Sequence, residues 1–270
     1  MNTNRFLLAV YFGLVVLFLL IPLLVVVPIS FVDSQFLKFP PEEFSLRWYR
    51  RFFTDPDFVS ATQLSIIVGI GASSIATVVG TMASIVLTRR RFFGRSVFIG
   101  TALSPMIVPV IIFALGAYFV LAKLDLLGNV IALIFIHSML ALPFSVMIVS
   151  ASLEQSDETL ERAARILGAG PFAAFFYVTL PSIRSAVFAA AVFGFFISFD
   201  DLVIALFVMG REFTLPVRIW QDLRFEIDPT VAATASMLIF MAVVGMALGS
   251  FFHLRAKKQS SSQTANKETY

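Results

Sequence analysis

The side chains that could take part in chemistry are few and lie mostly within apolar sequence. Two adjacent carboxylates, Asp200 and Asp201, interrupt one such stretch, the two histidines are His137 and His253, and cysteine is absent. There is no His-Glu-x-x-His metal motif, no Gly-x-Ser-x-Gly nucleophile motif and no Gly-x-x-x-x-Gly-Lys-[Ser/Thr] phosphate loop. The sequence therefore predicts no catalytic residue, no metal site and no bound cofactor. Any nucleotide would have to be bound by another chain.

A ridge of small side chains precedes the two aspartates. Its members are spaced by four residues: Ala186, Ala190, Gly194 and Ser198. On a helix they share one face, which another helix or a substrate can approach closely. At 100° per residue, Asp201 projects near the centre of this ridge and Asp200 lies about 100° away.

A carboxylate at membrane depth is unfavourable unless it faces water or a positive charge. Three environments are open for Asp201. A permeating cation would place Asp201, Asp200, Ser198 and Gly194 along a substrate path. The alternatives are an ion pair with Arg218, Arg224 or an arginine of a partner chain, and a position in the headgroup interface. For His137 we expect a hydrogen bond to a neighbouring helix.

The composition of the chain places these residues in a membrane. Of its 270 residues, 59% are hydrophobic and 14% are charged, whereas soluble domains carry about 25% charged residues. Stretches of about 20 apolar residues can cross a bilayer. Six stretches qualify: Phe6–Phe31, Ala61–Thr88, Val97–Ala122, Val130–Leu153, Ser185–Met209 and Val231–Phe252. We therefore predict an all-α integral membrane protein with six transmembrane helices.

The charge distribution predicts that both termini are cytoplasmic. In this topology the inner segments hold 12 of the 20 basic residues, and the outer segments hold the other 8 together with 10 of the 17 acids. Such a bias agrees with positive-inside insertion, and the short Arg89–Arg95 loop contributes most to it. Residues 1–252 are then the membrane domain. Residues 253–270, rich in Ser, Gln and Thr, are predicted to be a disordered cytoplasmic tail.

The loop between the fourth and fifth spans, about residues 155–181, predicts a cytoplasmic elbow of two short helices. An apolar stripe recurs at helical spacing: Leu160, Ala163, Ala164 and Leu167. Ser156 or Asp157 can cap the first helix, and Gly168 suits a left-handed stop. Gly170-Pro171 favours a turn before the second helix, which Pro181 is expected to end. The stripe either receives a partner or packs on the chain's own bundle.

This elbow resembles the Glu-Ala-Ala-x-x-x-Gly-x9-Ile-x-Leu-Pro signature of permease subunits of binding-protein-dependent ATP-binding-cassette importers. The matching residues are Ala163, Ala164, Gly168, Leu180 and Pro181, with Val178 in place of the isoleucine. The glutamate position holds Arg162, preceded by Glu161, which leaves open the side chain that contacts the ATPase. In this family the elbow is a coupling helix seated in a groove of the ATPase. The resemblance implies such a mechanical role for seven residues: Leu160, Glu161, Arg162, Ala163, Ala164, Leu167 and Gly168.

A second resemblance extends over most of the chain. The segments 198–210, 215–220 and 229–235 look like spermidine/putrescine importer permeases, and related permeases for iron, thiamine, phosphonate or opine share parts of them. The resemblance implies a non-enzymatic transport subunit of the bacterial inner membrane that carries a small organic cation such as a polyamine. Its partners would be the lipid bilayer, a second similar permease chain, two ATPase subunits that bind ATP and Mg, and a periplasmic substrate-binding protein. No nucleic acid partner is expected.

Two other functional classes are to be distinguished from this one. A secondary transporter or channel needs no ATPase, and ATP-independent uptake into vesicles would identify it. An intramembrane enzyme needs clustered catalytic groups, for which the sequence offers Asp200 and Asp201. Loss of a chemical activity on mutation of that pair would identify the enzyme.

Overall fold

The computed structural model describes residues 3–36, 39–225 and 228–245 and is built from helices. In chain order these are α1 (Thr3–Ile29), α2 (Arg47–Thr54), α3 (Pro56–Arg89), α4 (Arg95–Ile107), α5 (Val110–Lys123), α6 (Val130–Gln155), α7 (Glu158–Ile166), α8 (Pro171–Ala174), a π-helical turn (Phe175–Thr179), α9 (Leu180–Phe199), α10 (Val203–Val208), α11 (Leu215–Phe225) and α12 (Thr230–Gly245). An isolated bridge joins Val32 and Phe44. The predicted all-helical class is confirmed.

Four of the described helices are long and apolar enough to cross a membrane: Leu7–Ile29, Pro56–Arg89, Val130–Gln155 and Pro171–Phe199. A fifth crossing would combine α4 and α5, and α12 is shorter than a span within the described residues. Six spans and cytoplasmic termini therefore stay predictions. The end of the sixth predicted span, His253 and the 253–270 tail lie outside the described residues.

The third predicted span, Val97–Ala122, is wrong as one continuous helix. Helix α4 ends at Ile107 and α5 begins at Val110, with a bend of 103° between them. Val108 and Pro109 are both extended at the break, with ψ of 130°. A proline disfavours helical geometry in the residue before it and lacks the amide hydrogen that an uninterrupted helix needs, so the break falls at Val108-Pro109.

The described residues form two compact units. Residues of Ser60–Val217 form the larger one, in which α6 packs along α9 and α5 packs along α10. Helices α3 and α6 approach closely at Gly80, where an added Cβ would lie 2.6 Å from the Cβ of Ser145. The Ser84 hydroxyl also donates to the carbonyl of Val146 at 3.0 Å. Small residues thus bring the helix backbones together, as is typical of membrane bundles.

The smaller unit contains the described parts of Met1–Val59 and Arg218–Ala247. In it α2 is attached to the end of α1, because the Trp48 indole donates to the carbonyl of Val32 at 2.7 Å. The hydroxyls of Ser30 and Tyr49 add a second link at 2.6 Å. Most large apolar side chains of α1 are exposed. That surface requires lipid or another membrane chain.

Candidate functional site

The predicted elbow begins at α7, and Asp157 is its N-cap. The Asp157 carboxylate accepts a hydrogen bond from the Thr159 amide at 2.9 Å. Hydrogen bonds from the Thr159 side chain and backbone hold the pKa of Asp157 below its ordinary value. Ser156, the other predicted cap, instead accepts from Arg89 Nη2 at 2.7 Å and donates to the carbonyl of Leu153. These contacts attach the start of the elbow to the ends of α3 and α6.

Gly168 ends α7 as the sequence predicts. Its φ is +95°, a conformation that favours glycine. The Gly168 amide donates to Arg165 and the Ala169 amide to Ala164, each at 3.0 Å. This pair of bonds is a Schellman motif, which satisfies carbonyls at the helix end. The predicted turn at Gly170 and the start of α8 at Pro171 are also confirmed.

The expectation that Pro181 ends the second elbow helix is wrong. Helix α8 continues through the π-helical turn into α9, giving an uninterrupted helix from Pro171 to Phe199. At the end of that turn the Leu180 amide donates to the Phe175 carbonyl, five residues earlier. Pro181 lies in the first turn of α9. The local change of hydrogen-bond spacing therefore accommodates a residue that cannot donate.

Glu161 and Arg162 point to different surroundings. Glu161 is turned toward the chain: its side chain is 21% exposed, accepts a hydrogen bond from the Thr179 hydroxyl at 2.9 Å and pairs with Arg165 at 3.2 Å. Arg162 is 70% exposed and pairs with Glu158 at 3.2 Å. Glu161 therefore fastens α7 to the π-helical turn. Arg162, at the signature's glutamate position, is on the open side of the elbow.

The apolar stripe of α7 is largely uncovered. Leu160, Ala163 and Leu167 are exposed and Ala164 is half-buried. Further along the elbow, Phe172 and Tyr177 are also exposed. Of the two arrangements left open by the sequence, packing of the whole stripe on the chain's own bundle does not occur. The elbow presents an apolar surface with basic residues beside it.

Span five breaks at the aspartates, so the predicted continuous helix Ser185–Met209 is wrong. Helix α9 ends at Phe199, exposed Asp200 is its C-cap, and α10 begins at Val203. Asp201 Oδ2 accepts hydrogen bonds from the amides of Ile204 at 2.9 Å and Ala205 at 3.2 Å. The Asp201 carboxylate thus satisfies backbone amides in the first turn of α10, which have no acceptor within the helix. The predicted directions of Asp200 and Asp201 around the helix assumed an unbroken helix, so they do not apply to these two residues.

His137 connects this break to α6. Its Nδ1 lies 2.8 Å from the Ser198 hydroxyl, which confirms the predicted hydrogen bond to a neighbouring helix. Its Nε2 lies 3.5 Å from Asp201 Oδ2. Arg218, expected as one partner of Asp201, instead pairs with Asp57 and Asp222. Ser198, His137 and Asp201 are all buried. Their contacts link α6 to the break between α9 and α10 inside the chain.

The small-residue ridge of α9 packs inside the chain. A Cβ added at Gly194 would lie 3.5 Å from the Cα of Ser73 and 3.6 Å from the Cβ of Ala141. At Gly194 the helices that approach the ridge are therefore α3 and α6. Of the four residues expected along a substrate path, Asp200 is exposed, while Gly194, Ser198 and Asp201 are buried. Their contact with a substrate stays a prediction.

Sequence reasoning missed the pairing of Asp201 with His137. The two residues are 64 positions apart, and helical periodicity relates only residues on the same element. A weak signal was present, since each is an ionisable residue in an apolar stretch and such residues pair with one another. The sequence offered several arginines as partners but no means of ranking them against the histidine.

Comparison with known proteins places this arrangement in a family. Residues 76–258 match the family described as binding-protein-dependent transport system inner membrane component. The chain is 31% identical over 251 residues to the putrescine transport system permease protein PotI of Escherichia coli K12, covering 90% of this chain and 89% of PotI. It is 29% identical over 228 residues to the spermidine/putrescine transport system permease protein PotC of the same strain, covering 84% and 86% of the two chains.

Solved structures share the fold. A chain of a bacterial ABC transporter that imports the acidic polysaccharide alginate has a TM-score of 0.72 at 16% identity, covering 93% of this chain and 98% of that one. The alginate transporter in complex with an alginate pentasaccharide-bound periplasmic protein gives a TM-score of 0.64 at 15% identity, covering 92% of each chain. Together with the family match, these findings show that the chain belongs to the binding-protein-dependent transport system inner membrane components and is a permease subunit of an ABC importer.

Proposed function

We propose that this permease carries a small organic cation of the polyamine class. The observation that supports this most directly is the similarity, over most of both chains, to permeases named for putrescine and for spermidine/putrescine transport. The acidic pair within span five suits such a substrate. A carboxylate there can replace part of the water that an ammonium group loses on entering the membrane.

We assign the substrate-facing role to Asp200 and a supporting role to its neighbours. Asp200 is exposed at the break between α9 and α10, and irregular backbone at membrane depth is tolerated where it is buried in protein or borders a water-filled cavity. Asp201, with its backbone and His137 contacts, holds the break in place. Ser198 and Gly194 fix α9 against α6 and α3. This differs from the sequence expectation, which gave the larger role to Asp201.

We propose that the elbow transmits closure of a partner ATPase to the bundle. Leu160, Ala163 and Leu167 form the apolar contact, and Arg162 takes the polar contact that the signature assigns to glutamate. Glu161 and the uninterrupted helix Pro171–Phe199 then form a stiff connection from the contact surface to the aspartates. ATP and Mg would be bound by the ATPase.

The proposed assembly has two permease chains, this one and a homologous one, with two ATPase subunits. A periplasmic binding protein would deliver the substrate, as the family description indicates. This chain would cross the bacterial inner membrane six times with both termini in the cytoplasm. The exposed apolar surface of α1 would face lipid or the second permease.

Uptake by the reconstituted importer tests the substrate class. Putrescine, spermidine and an uncharged diol of matched length would be compared for wild type, Asp200→Asn and Asp201→Asn, with uptake divided by the amount of assembled complex. Loss of a charge-assisted hydrogen bond costs about 1.5–3 kcal/mol, so Asp200→Asn should reduce polyamine uptake by roughly ten- to a hundredfold per complex. Asp201→Asn should act chiefly by lowering the amount of complex.

Two results would overturn the proposal. Transport of iron, thiamine, a phosphonate or an opine in place of polyamines would assign the chain to a related importer. Wild-type polyamine uptake by Asp200→Asn would remove Asp200 from the path.

A further inference from the structure

Helix α2 carries three arginines on one face. Arg47, Arg50 and Arg51 are at positions i, i+3 and i+4, which are neighbours on a helix surface. Their side chains are exposed and border a cleft of about 350 Å³ that is also lined by Leu46 and Thr54. The cleft is open and positively charged.

Only part of this charge is compensated among the described residues. Arg51 forms an ion pair with Asp228 at 2.7 Å, whereas no described acid lies within 4.0 Å of the Arg47 or Arg50 guanidinium. Arg47 and Arg51 also lie 5.0 and 5.8 Å from the ring centre of Trp48. These cation–π contacts hold both guanidinium groups against a buried aromatic residue. Two positive charges in the cleft therefore remain for a ligand.

The position of α2 in the chain sets its depth in the membrane. Trp48 donates to Val32, three residues after the end of α1, and α3 begins at Pro56, two residues after the end of α2. Because α1 and α3 are apolar helices long enough to span, α2 lies at the level where hydrocarbon gives way to headgroups. Leu46 and Phe53 are exposed beside the arginines. The surface is thus cationic with apolar side chains next to it.

We propose that this cleft binds the phosphate of an anionic phospholipid in the outer leaflet. Arginine donates two hydrogen bonds in a plane to a phosphate, which suits the pair Arg47 and Arg50. Leu46 and Phe53 contact the adjoining acyl chains, which a free phosphate or a soluble acidic protein does not offer. In the proposed topology these arginines lie on the outer side, against the usual charge bias of membrane insertion. A bound anionic lipid offsets that charge.

Tryptophan quenching tests the proposal because the chain has two tryptophans, Trp48 and Trp220. Trp220→Phe, together with replacement of the tryptophans of the partner subunits by phenylalanine, leaves Trp48 as the tryptophan of the assembled importer. This importer would be placed in vesicles of phosphatidylethanolamine with a minor fraction of phosphatidylglycerol. One of the two lipids would be brominated near the glycerol end of its acyl chains. Each arginine near an anionic surface contributes roughly a fivefold preference. Because two such factors multiply, we expect the ratio of phosphatidylglycerol to phosphatidylethanolamine beside Trp48 to exceed the bulk ratio by roughly 25-fold.

Matched variants distinguish specific lipid binding in this cleft from general attraction by surface charge. Arg47→Gln/Arg50→Gln should abolish the preference, while Arg47→Lys/Arg50→Lys should keep a reduced preference, since the charge remains and the planar fork is lost. Arg211→Gln/Arg224→Gln removes the same charge at two other exposed arginines and should leave the preference intact. If the Arg47→Gln/Arg50→Gln variant fails to assemble, the Arg47→Lys/Arg50→Lys variant tests the proposal alone. A lipid preference in that variant equal to or above that of the parent protein contradicts the proposal.

Several outcomes would overturn it. Quenching by the two brominated lipids in proportion to their bulk fractions in the parent protein excludes a selective site. An equal loss of the phosphatidylglycerol preference in Arg211→Gln/Arg224→Gln would show that the preference depends on net charge and not on this cleft. Loss of the preference on adding inorganic phosphate at constant ionic strength assigns the cleft to a free anion, and loss on adding the soluble binding protein assigns it to that protein.

Discussion

Replacing Asp201 by alanine tests whether this residue holds the break in span five. The Asp201 carboxylate is 6% exposed and 3.5 Å from His137 Nε2, and it accepts hydrogen bonds from the amides of Ile204 and Ala205. Alanine removes all three contacts and leaves buried polar groups behind. The expected consequence is loss of stability, not only loss of transport.

The magnitude follows from these contacts. Loss of a helix N-cap costs about 0.5–2 kcal/mol, and a polar contact within a membrane bundle contributes about 0.6 kcal/mol on average. Asp201→Ala should therefore lower the free energy of unfolding by about 1–3 kcal/mol. Asp201→Asn should lose less, because a carboxamide oxygen still accepts from the backbone. Asp200→Ala is the matched control, since an exposed position should change stability by less than about 0.5 kcal/mol.

Unfolding in mixed detergent–denaturant titrations, monitored by circular dichroism, would measure these changes. A double-mutant cycle with His137→Ala adds a second readout, and a coupling energy of at least about 0.5 kcal/mol is expected for residues in contact. Unfolding of Asp201→Ala like wild type would show that Asp201 does not hold the break. The same conclusion follows if Asp200→Ala is the more damaging change, or if the effects of the Asp201 and His137 substitutions are additive.

Other predictions concern the glycines and the nucleotide. Gly80→Val should destabilise the bundle by about 1–3 kcal/mol, because its Cβ meets Ser145 at 2.6 Å; Gly13→Val, with nothing within 4 Å, should not, and unfolding titrations compare the two. Gly168→Trp should abolish ATP-driven uptake in complexes that still insert, and retained uptake would contradict the role of the elbow. Gly168→Ala, which meets no atom but must keep a positive φ, should be milder. The isolated chain should show no ATP binding by calorimetry, whereas the assembled importer should bind ATP.

Features set by neighbouring residues were accessible from the sequence. Helix α6 was predicted as Val130–Leu153 and observed as Val130–Gln155, because a long apolar run specifies its own span. The stop at Gly168 was predictable because a left-handed residue after a helix favours glycine whatever surrounds it. The start of α8 at Pro171 follows from a similarly local preference.

Features that depend on contacts between distant segments were not accessible. Proline gave opposite outcomes at two sites: Val108-Pro109 breaks a helix, whereas Pro181 is accommodated after a π-helical turn. Residue type alone does not distinguish these cases. The break at Asp200 depends on capping by Asp201, and the Asp201 carboxylate lies 3.5 Å from a histidine 64 residues earlier. Only packing of α6 on α9 brings those two groups together.

Putrescine uptake into proteoliposomes containing the complete importer tests directly whether this chain works as an ATP-driven permease. ATP or a non-hydrolysable analogue would be supplied at the ATPase side. We expect concentrative uptake that requires ATP hydrolysis and the binding protein and that is lost in Gly168→Trp. Uptake that proceeds equally with the analogue, or without any ATPase subunit, would show that this chain does not transport as the permease of an ATP-driven importer.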